Sequence, residues 1–307
     1  MVRAMTRDAL ERALERVRSR FSGELGFAAS NLATGETVEI AADRRVPTAS
    51  VIKLAVLVEL FRQVAAGEID LERRLALRAA AIVPGSGILK ELAPGLRPTV
   101  RDLATLMVVI SDNTATNLLI DLVGGVGAVN ETVQRRLGLA TIVLHDRIDF
   151  ERIGGEGRRL AEGTPRELAR LMELLGRGEL VDAASSAAML AILQRQQYLD
   201  QVPRYLAVNP YARELRLEPP PPLWVANKTG FSAGVRVDAG LIGLPEEHTI
   251  AYCAATAGSA DASFAAEAEG AVTNGLLGRL VCAYWWPGGE IPDGVLLPSP
   301  YVDALLG

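Results

Sequence analysis

Residues 50–66 read SVIKLAVLVELFRQVAA: a serine and a lysine three positions apart open a run that is apolar nearly all round. A helix without a polar face is a buried helix, so this stretch belongs in a core. The spacing puts Ser50 and Lys53 on one face, at the start. An ammonium beside Leu54 to Val58, all apolar, is partly desolvated. Desolvation lowers its pKa and lets it accept a proton near neutral pH. A serine at a helix N-terminus also lies near backbone N–H groups that can hold a developing oxyanion. Alone, the same four residues read more simply as an N-cap serine and a snorkelling lysine.

Working outward, the chain is helical from Ser50 to about Val181. Thr99–Ile110 follows Pro98 with an acid in its first turn, Thr114–Val123 stops at Gly124-Gly125, and Thr164-Pro165 opens Arg166–Leu175. On the N-terminal side, Glu24–Leu32 and Glu36–Ala41 read as a hairpin joined by Ala-Thr-Gly. On the far side the run Pro219–Pro222 breaks the chain, and strands return at Leu223–Lys228, Val235–Gly243 and Thr249–Thr256. A helical stretch, Ala262–Tyr284, closes the pattern. Strands from both ends need partners, so the expected fold is α/β of the α+β type, with one mainly antiparallel sheet and an inserted helical block. The division reads as 1–45 with 215–307 for the sheet part and 46–214 for an all-helical part. The cleft between them is the default place for a site.

Of 32 basic residues only Lys53, Lys90 and Lys228 are lysine; the other 29 are arginine. A position that stays lysine in such a chain invites the question of what arginine cannot supply, namely an ammonium able to lose its proton. Lys228 ends a predicted strand in Lys228-Thr229-Gly230, followed by Phe231, and suits the binding of a carboxylate and the close approach of a substrate backbone. Ser111-Asp112-Asn113, a polar triplet after the apolar LATLMVVI, suggests a turn facing a cleft, although helix-capping residues look the same. Separately these signals are weak; in this order S-x-x-K, S-D-N and K-T-G form one set.

With these motifs the sequence resembles the class A serine β-lactamase-like family of penicillin-recognising hydrolases, over nearly its whole length. SDNTATNLLI, including Asn117, is similar to the family's SDN helix. The resemblance implies a five-stranded antiparallel sheet flanked by helices, a helical subdomain, and an active site between them. It implies that Ser50 is acylated, that Lys53 accepts or relays its proton, and that Ser111 passes a proton to the leaving nitrogen with Lys228 tuning it. Asn113 would hold the substrate's side-chain amide, Thr229 and Arg236 its carboxylate, and the N–H groups beside Gly230, those of Ser50 and Phe231, the oxyanion. The family's omega-loop glutamate is missing from Asp146–Ile153; counting from Arg147 puts Asp149 at its place, and Glu151 is the other candidate.

Composition limits the partners. Net charge is −5, with no basic excess to attract nucleic acid, and no apolar run reaches the length of a transmembrane helix. Two cysteines, Cys253 and Cys282, make no disulfide scaffold and read as free and buried, and two histidines make a zinc cluster unexpected. No metal and no cofactor are expected; the substrate is a small β-lactam or a peptidoglycan-like acyl compound, and the chain is expected to be a monomer. Met1 to Phe21 is charged throughout and reads as a surface helix, with Leu10, Ala13, Leu14, Val17 and Phe21 on one face, not as an export signal, although the family is usually exported. Three functions stay open: a β-lactamase, a DD-peptidase or esterase with the same motifs, and a binder acylated once and never released.

Overall fold

The computed structural model describes residues 5–154, 156–206, 208–211, 214–216, 223–246 and 248–286. The Pro219–Pro222 run lies outside them. Helix α1 (Arg7–Arg20) is capped by Thr6 and buries Leu10, Ala13, Leu14 and Val17, the face its spacing predicts. The hairpin follows as β1 (Glu24–Asn31) and β2 (Thr37–Ile40), then the short β3 (Val46–Pro47) and helix α2 (Lys53–Ala65).

The helical block continues with α3 (Val100–Val109), α4 (Asn113–Leu122) and the short α5 (Val126–Asn130). After β4 (Val143–Leu144), α6 (Phe150–Ile153) and β5 (Ala161–Gly163) come α7 (Pro165–Gly176) and α8 (Ala183–Leu193). Thr99 and Asp102 form a reciprocal capping box, and Thr164 caps α7 with Pro165 in its first turn. The segment 46–214 is not helical throughout, because β3, β5 and β4 pair as a small antiparallel sheet across it.

The main sheet adds β6 (Trp224–Ser232), β7 (Val235–Gly243) and β8 (Thr249–Ala257), and its order is β2-β1-β8-β7-β6, antiparallel throughout. Successive residues of these strands serve opposite faces. Val237, Ala239 and Leu241 join the core under α2, α3, α7 and α8, while Val225, Ile242, Ile250 and Tyr252 join a second core under α1 and the last helix, α9 (Glu269–Trp285). Both faces are covered, so β7 is buried along its whole length. α9 begins at Glu269 and not at Ala262. The stretch before it is a loop tied by Asp261 and Ser259 side chains, with Glu269 accepting from Ser259 and Ser22. Among the described residues no helix is long and apolar enough to cross a membrane.

Candidate active site

Ser50 does not open an α-helix. It sits in a 3-10 turn, Ala49–Ile52, whose Ser50 and Val51 carbonyls accept from the N–H of Lys53, where α2 starts. Ala49 has φ +44°, a left-handed value that costs a non-glycine residue about 1–3 kcal/mol. Ser111, between α3 and α4, has φ +57°. Two strained residues, one beside and one within the predicted machinery, persist because the surroundings over-determine them.

What over-determines Ser111 is a pair of buried lysines. Lys53 Nζ donates to Ser111 O at 2.7 Å, Ser111 Oγ at 3.0 Å and Asn113 Oδ1 at 2.8 Å. Lys228 Nζ reaches the same Ser111 Oγ at 3.1 Å and Thr229 O at 2.6 Å. Both lysines are fully buried. Burial, then the neighbouring Lys228 charge, pulls Lys53 well below the usual lysine range, against the opposing pull of Asp112. Burial brings Lys228 down to about 7, with Asp238 acting the other way. Two ammonium groups sharing one hydroxyl repel each other, so the arrangement favours releasing a proton from one of them.

Asp112, the middle of the triplet, is spent on structure. Its Oδ1 caps α4 at Ala115 N, and its Oδ2 accepts from Ile88 N and Leu89 N at 2.7 and 2.8 Å. That tie brings the Pro84–Leu89 loop so close that a Cβ on Gly87 (φ +106°) would lie 2.3 Å from the Asp112 carboxylate. Ser86 in this loop donates to Ser111 O at 2.7 Å and to Asn113 Oδ1 at 3.2 Å. Asn113 donates its Nδ2 to Pro84 O at 2.9 Å, so its amide is held by the loop as well as by Lys53. Ser86 was not among the sequence candidates, although Gly85-Ser86-Gly87 carries a plain turn signal.

The K-T-G strand closes the other side. β6 is the edge of the sheet, and a Cβ on Gly230 would stand 2.6 Å from Thr48 O and 2.8 Å from Ser50 N. Only glycine lets this strand lie against the Ser50 turn. Thr229 Oγ1 is buried and makes no hydrogen bond among the described residues. Phe231 packs edge-on between Tyr198 and Phe264, ring centroids 6.0 and 6.1 Å away.

Three candidates lie apart from this cluster. Arg236, opposite Phe231 in the ladder, gives its guanidinium to the carbonyls of Ser232 (2.9 Å), Val235 (2.8 Å) and Ser263 (2.6 Å), under the Phe264 ring. Three of its five N–H groups are used on backbone carbonyls within the protein. Asp149 caps α6, accepting from Glu151 N and Arg152 N, and Glu151 is exposed. No hydrogen bond among the described residues joins either carboxylate to Ser50, Lys53, Ser111 or Lys228. The SDN helix holds this loop at Ile148, whose N–H and C=O both bond to the Asn117 side chain, at 2.9 and 2.8 Å, and at Arg147, which pairs with Asp121 at 3.2 Å. Cys253 and Cys282 are free and buried, with burial pushing the Cys282 thiol up to about 12.

A serine turn, a second serine shared by two buried lysines and a glycine strand edge form an arrangement that suits a serine hydrolase. The chain belongs to the β-lactamase enzyme family, whose model matches residues 9–285. It is 31% identical to a β-lactamase from Sphaerobacter thermophilus, over 92% of this chain and 97% of that one, with a TM-score of 0.77. It is 27% identical to PBP-A, over 93% and 98% of the two chains, with a TM-score of 0.76. A Leu-to-Glu variant of PBP-A, known as its acyl-enzyme complex with penicillin G, matches at 27% identity over 90% and 94%, with a TM-score of 0.75. Family and neighbours make this protein a β-lactamase-type hydrolase.

Proposed function

We propose that the protein is a penicillin-recognising serine hydrolase that acylates readily at Ser50 and releases the acyl group slowly. The observation that carries this is the pair of fully buried lysines on the Ser111 hydroxyl, both drawn below the ordinary lysine range. In this reading Ser50 Oγ adds to the lactam carbonyl carbon while its proton passes to an unprotonated Lys53 amine. The carbonyl oxygen becomes an anion between the N–H groups of Ser50 and Phe231. The C–N bond then breaks as Ser111 gives its proton to the nitrogen, Lys53 returns a proton to Ser111, and an ester remains on Ser50. Lys228 and the orphaned Thr229 hydroxyl take the substrate carboxylate. Water must then add to the ester and break its C–O bond, restoring the Ser50 hydroxyl.

Support for slow release comes from the loop. Its residue held by Asn117 is an isoleucine, one oxygen of its Asp149 carboxylate caps α6, and its Glu151 is exposed. Water activation then falls to the Lys53 side of the site. This favours a DD-peptidase or esterase-like enzyme that β-lactams inhibit as a second reading beside the β-lactamase one. In the same reading the chain acts as a monomer, and 1–45 with 215–307 and 46–214 work as two parts around the reaction. The test is intact-protein mass spectrometry after a penicillin pulse. One adduct is expected on Ser50, absent from Ser50→Ala; an unmodified wild-type chain overturns the proposal.

A further inference from the structure

We infer that Gln201 is a positioning residue for the oxyanion hole: its buried amide holds the carbonyl of Gly230 and thereby aims the N–H of Phe231. The inference rests on the acylation reading above. Gln201 is fully buried ahead of the 3-10 turn Val202–Tyr205, and its Nε2 donates to Gly230 O at 3.2 Å. Its Oε1 accepts from Asn274 Nδ2 at 2.9 Å, and Asn274, also fully buried on α9, reaches Arg236 O at 3.3 Å. Two carboxamides thus bolt the ends of β6 and β7 to α9.

The consequence follows from the peptide bond. The Gly230–Phe231 unit is planar, and in the trans form its C=O and N–H point to opposite sides. A donor fixed on the Gly230 oxygen therefore fixes the direction of the Phe231 N–H, and polarises it as well. β6 is an edge strand with no ladder partner on its outer side, so its last residues have only β7 to orient them. The same peptide is the one whose glycine lies against Ser50 N. Burying two amides is costly unless they are satisfied, and a leucine or methionine would fill the space without that cost. Packing alone therefore does not account for an amide at position 201.

The test compares wild type, Gln201→Met and Gln201→Glu by rapid mixing with a chromogenic cephalosporin, resolving non-covalent affinity from the acylation rate. Gln201→Met is expected to acylate about 10–10²-fold more slowly, with non-covalent affinity within about twofold. In Gln201→Glu the protonated acid still donates and the carboxylate does not. Its acylation rate should fall as pH rises through an ionisation that wild type lacks. A folded Gln201→Met that acylates within about twofold of wild type overturns the inference. So does a Gln201→Glu pH profile that superposes on wild type, and this profile decides the matter if Gln201→Met does not fold. If wild type itself takes no adduct, the acylation reading falls, and this inference with it.

Discussion

Two sides of the same cleft are built to different standards. Around Ser111 the lysines are fully buried, each ammonium has two or three acceptors, and left-handed backbone is tolerated at Ala49 and Ser111. Around α6 the carboxylates are half-buried or exposed, Asp149 caps its own helix, Asp146 pairs with Arg152, and Phe150 at the helix start is 51% exposed. Buried, strained and multiply bonded groups cost stability, and a fold retains them where chemistry requires fixed positions. On the proposed function, the contrast is what a fold that forms the acyl-enzyme readily and breaks it down slowly requires.

The largest expected effect comes from removing the proton acceptor while keeping the charge. Lys53→Arg should slow acylation by about 10²–10⁴-fold, the usual worth of a general base. Guanidinium does not lose its proton near neutral pH, and its planar fork is larger than an ammonium. Lys228→Arg should be milder, since a charge at that position acts electrostatically. Lys90, which pairs with Glu91 at the surface, serves as the control, and Lys90→Arg should be silent. Near-normal acylation in Lys53→Arg would dissolve the contrast between the two sides.

Next comes pH. Lys228 titrates at about 7 in the folded state against an ordinary value of 10.5, so between these values the unfolded chain holds a proton that the folded chain lacks. Stability from this group therefore rises with pH across that window, and below 7 the burial of the charge is felt in full. Chemical denaturation of wild type and Lys228→Met at pH 7 and pH 10 should show wild type gaining on the variant by up to about 4 kcal/mol. A gap that stays constant with pH would mean that the lysine is not desolvated as the fold indicates.

A smaller effect is set by the loop. Holding the attacking water about 1 Å out of place can cost some 10²-fold. Stopped-flow with a chromogenic cephalosporin should therefore show a burst of one equivalent followed by a steady state about 10²-fold slower. A linear time course at high turnover would place the two sides of the cleft on equal terms, and the protein would be an efficient β-lactamase.

Much of this was legible in the sequence because it is periodic or compositional. The five strands of the main sheet, the caps at Thr99, Thr164 and Asp112, and the buried start of α2 follow from spacing and side-chain type, whereas the short β3, β4 and β5 do not. Three lysines among 32 basic residues pointed at two positions of the site. What could not be read depends on where a side chain goes after its backbone is placed. Arg236 is a plausible carboxylate clamp in one dimension, and only the β6–β7 register turns it toward Ser263 and Phe264. Asp149 and Glu151 could not be ranked by counting, because the loop's tie to α4, through Asn117 at Ile148 and Asp121 at Arg147, is a tertiary feature that spacing does not show. Gln201 and Ser86 carry no motif; they matter because tertiary packing brings them to Gly230 and Ser111.

The smallest expected effects fall on the loop carboxylates themselves, and they separate a cap from a catalyst. Asparagine caps a helix about as well as aspartate, whereas alanine forfeits about 1 kcal/mol. Asp149→Asn should therefore leave the burst, the steady-state rate and the loop's protection from hydrogen exchange close to wild type. Asp149→Ala should loosen Phe150–Ile153 alone, raising exchange there by roughly fivefold, the equivalent of about 1 kcal/mol, with acylation untouched. Glu151→Gln, at an exposed position without a bond to the cluster, should change nothing beyond about twofold. If Asp149→Asn or Glu151→Gln instead arrests turnover with the acyl group still on Ser50, that carboxylate is the deacylating base. The loop would then have to swing its acid inward during the reaction, away from the cap it forms here.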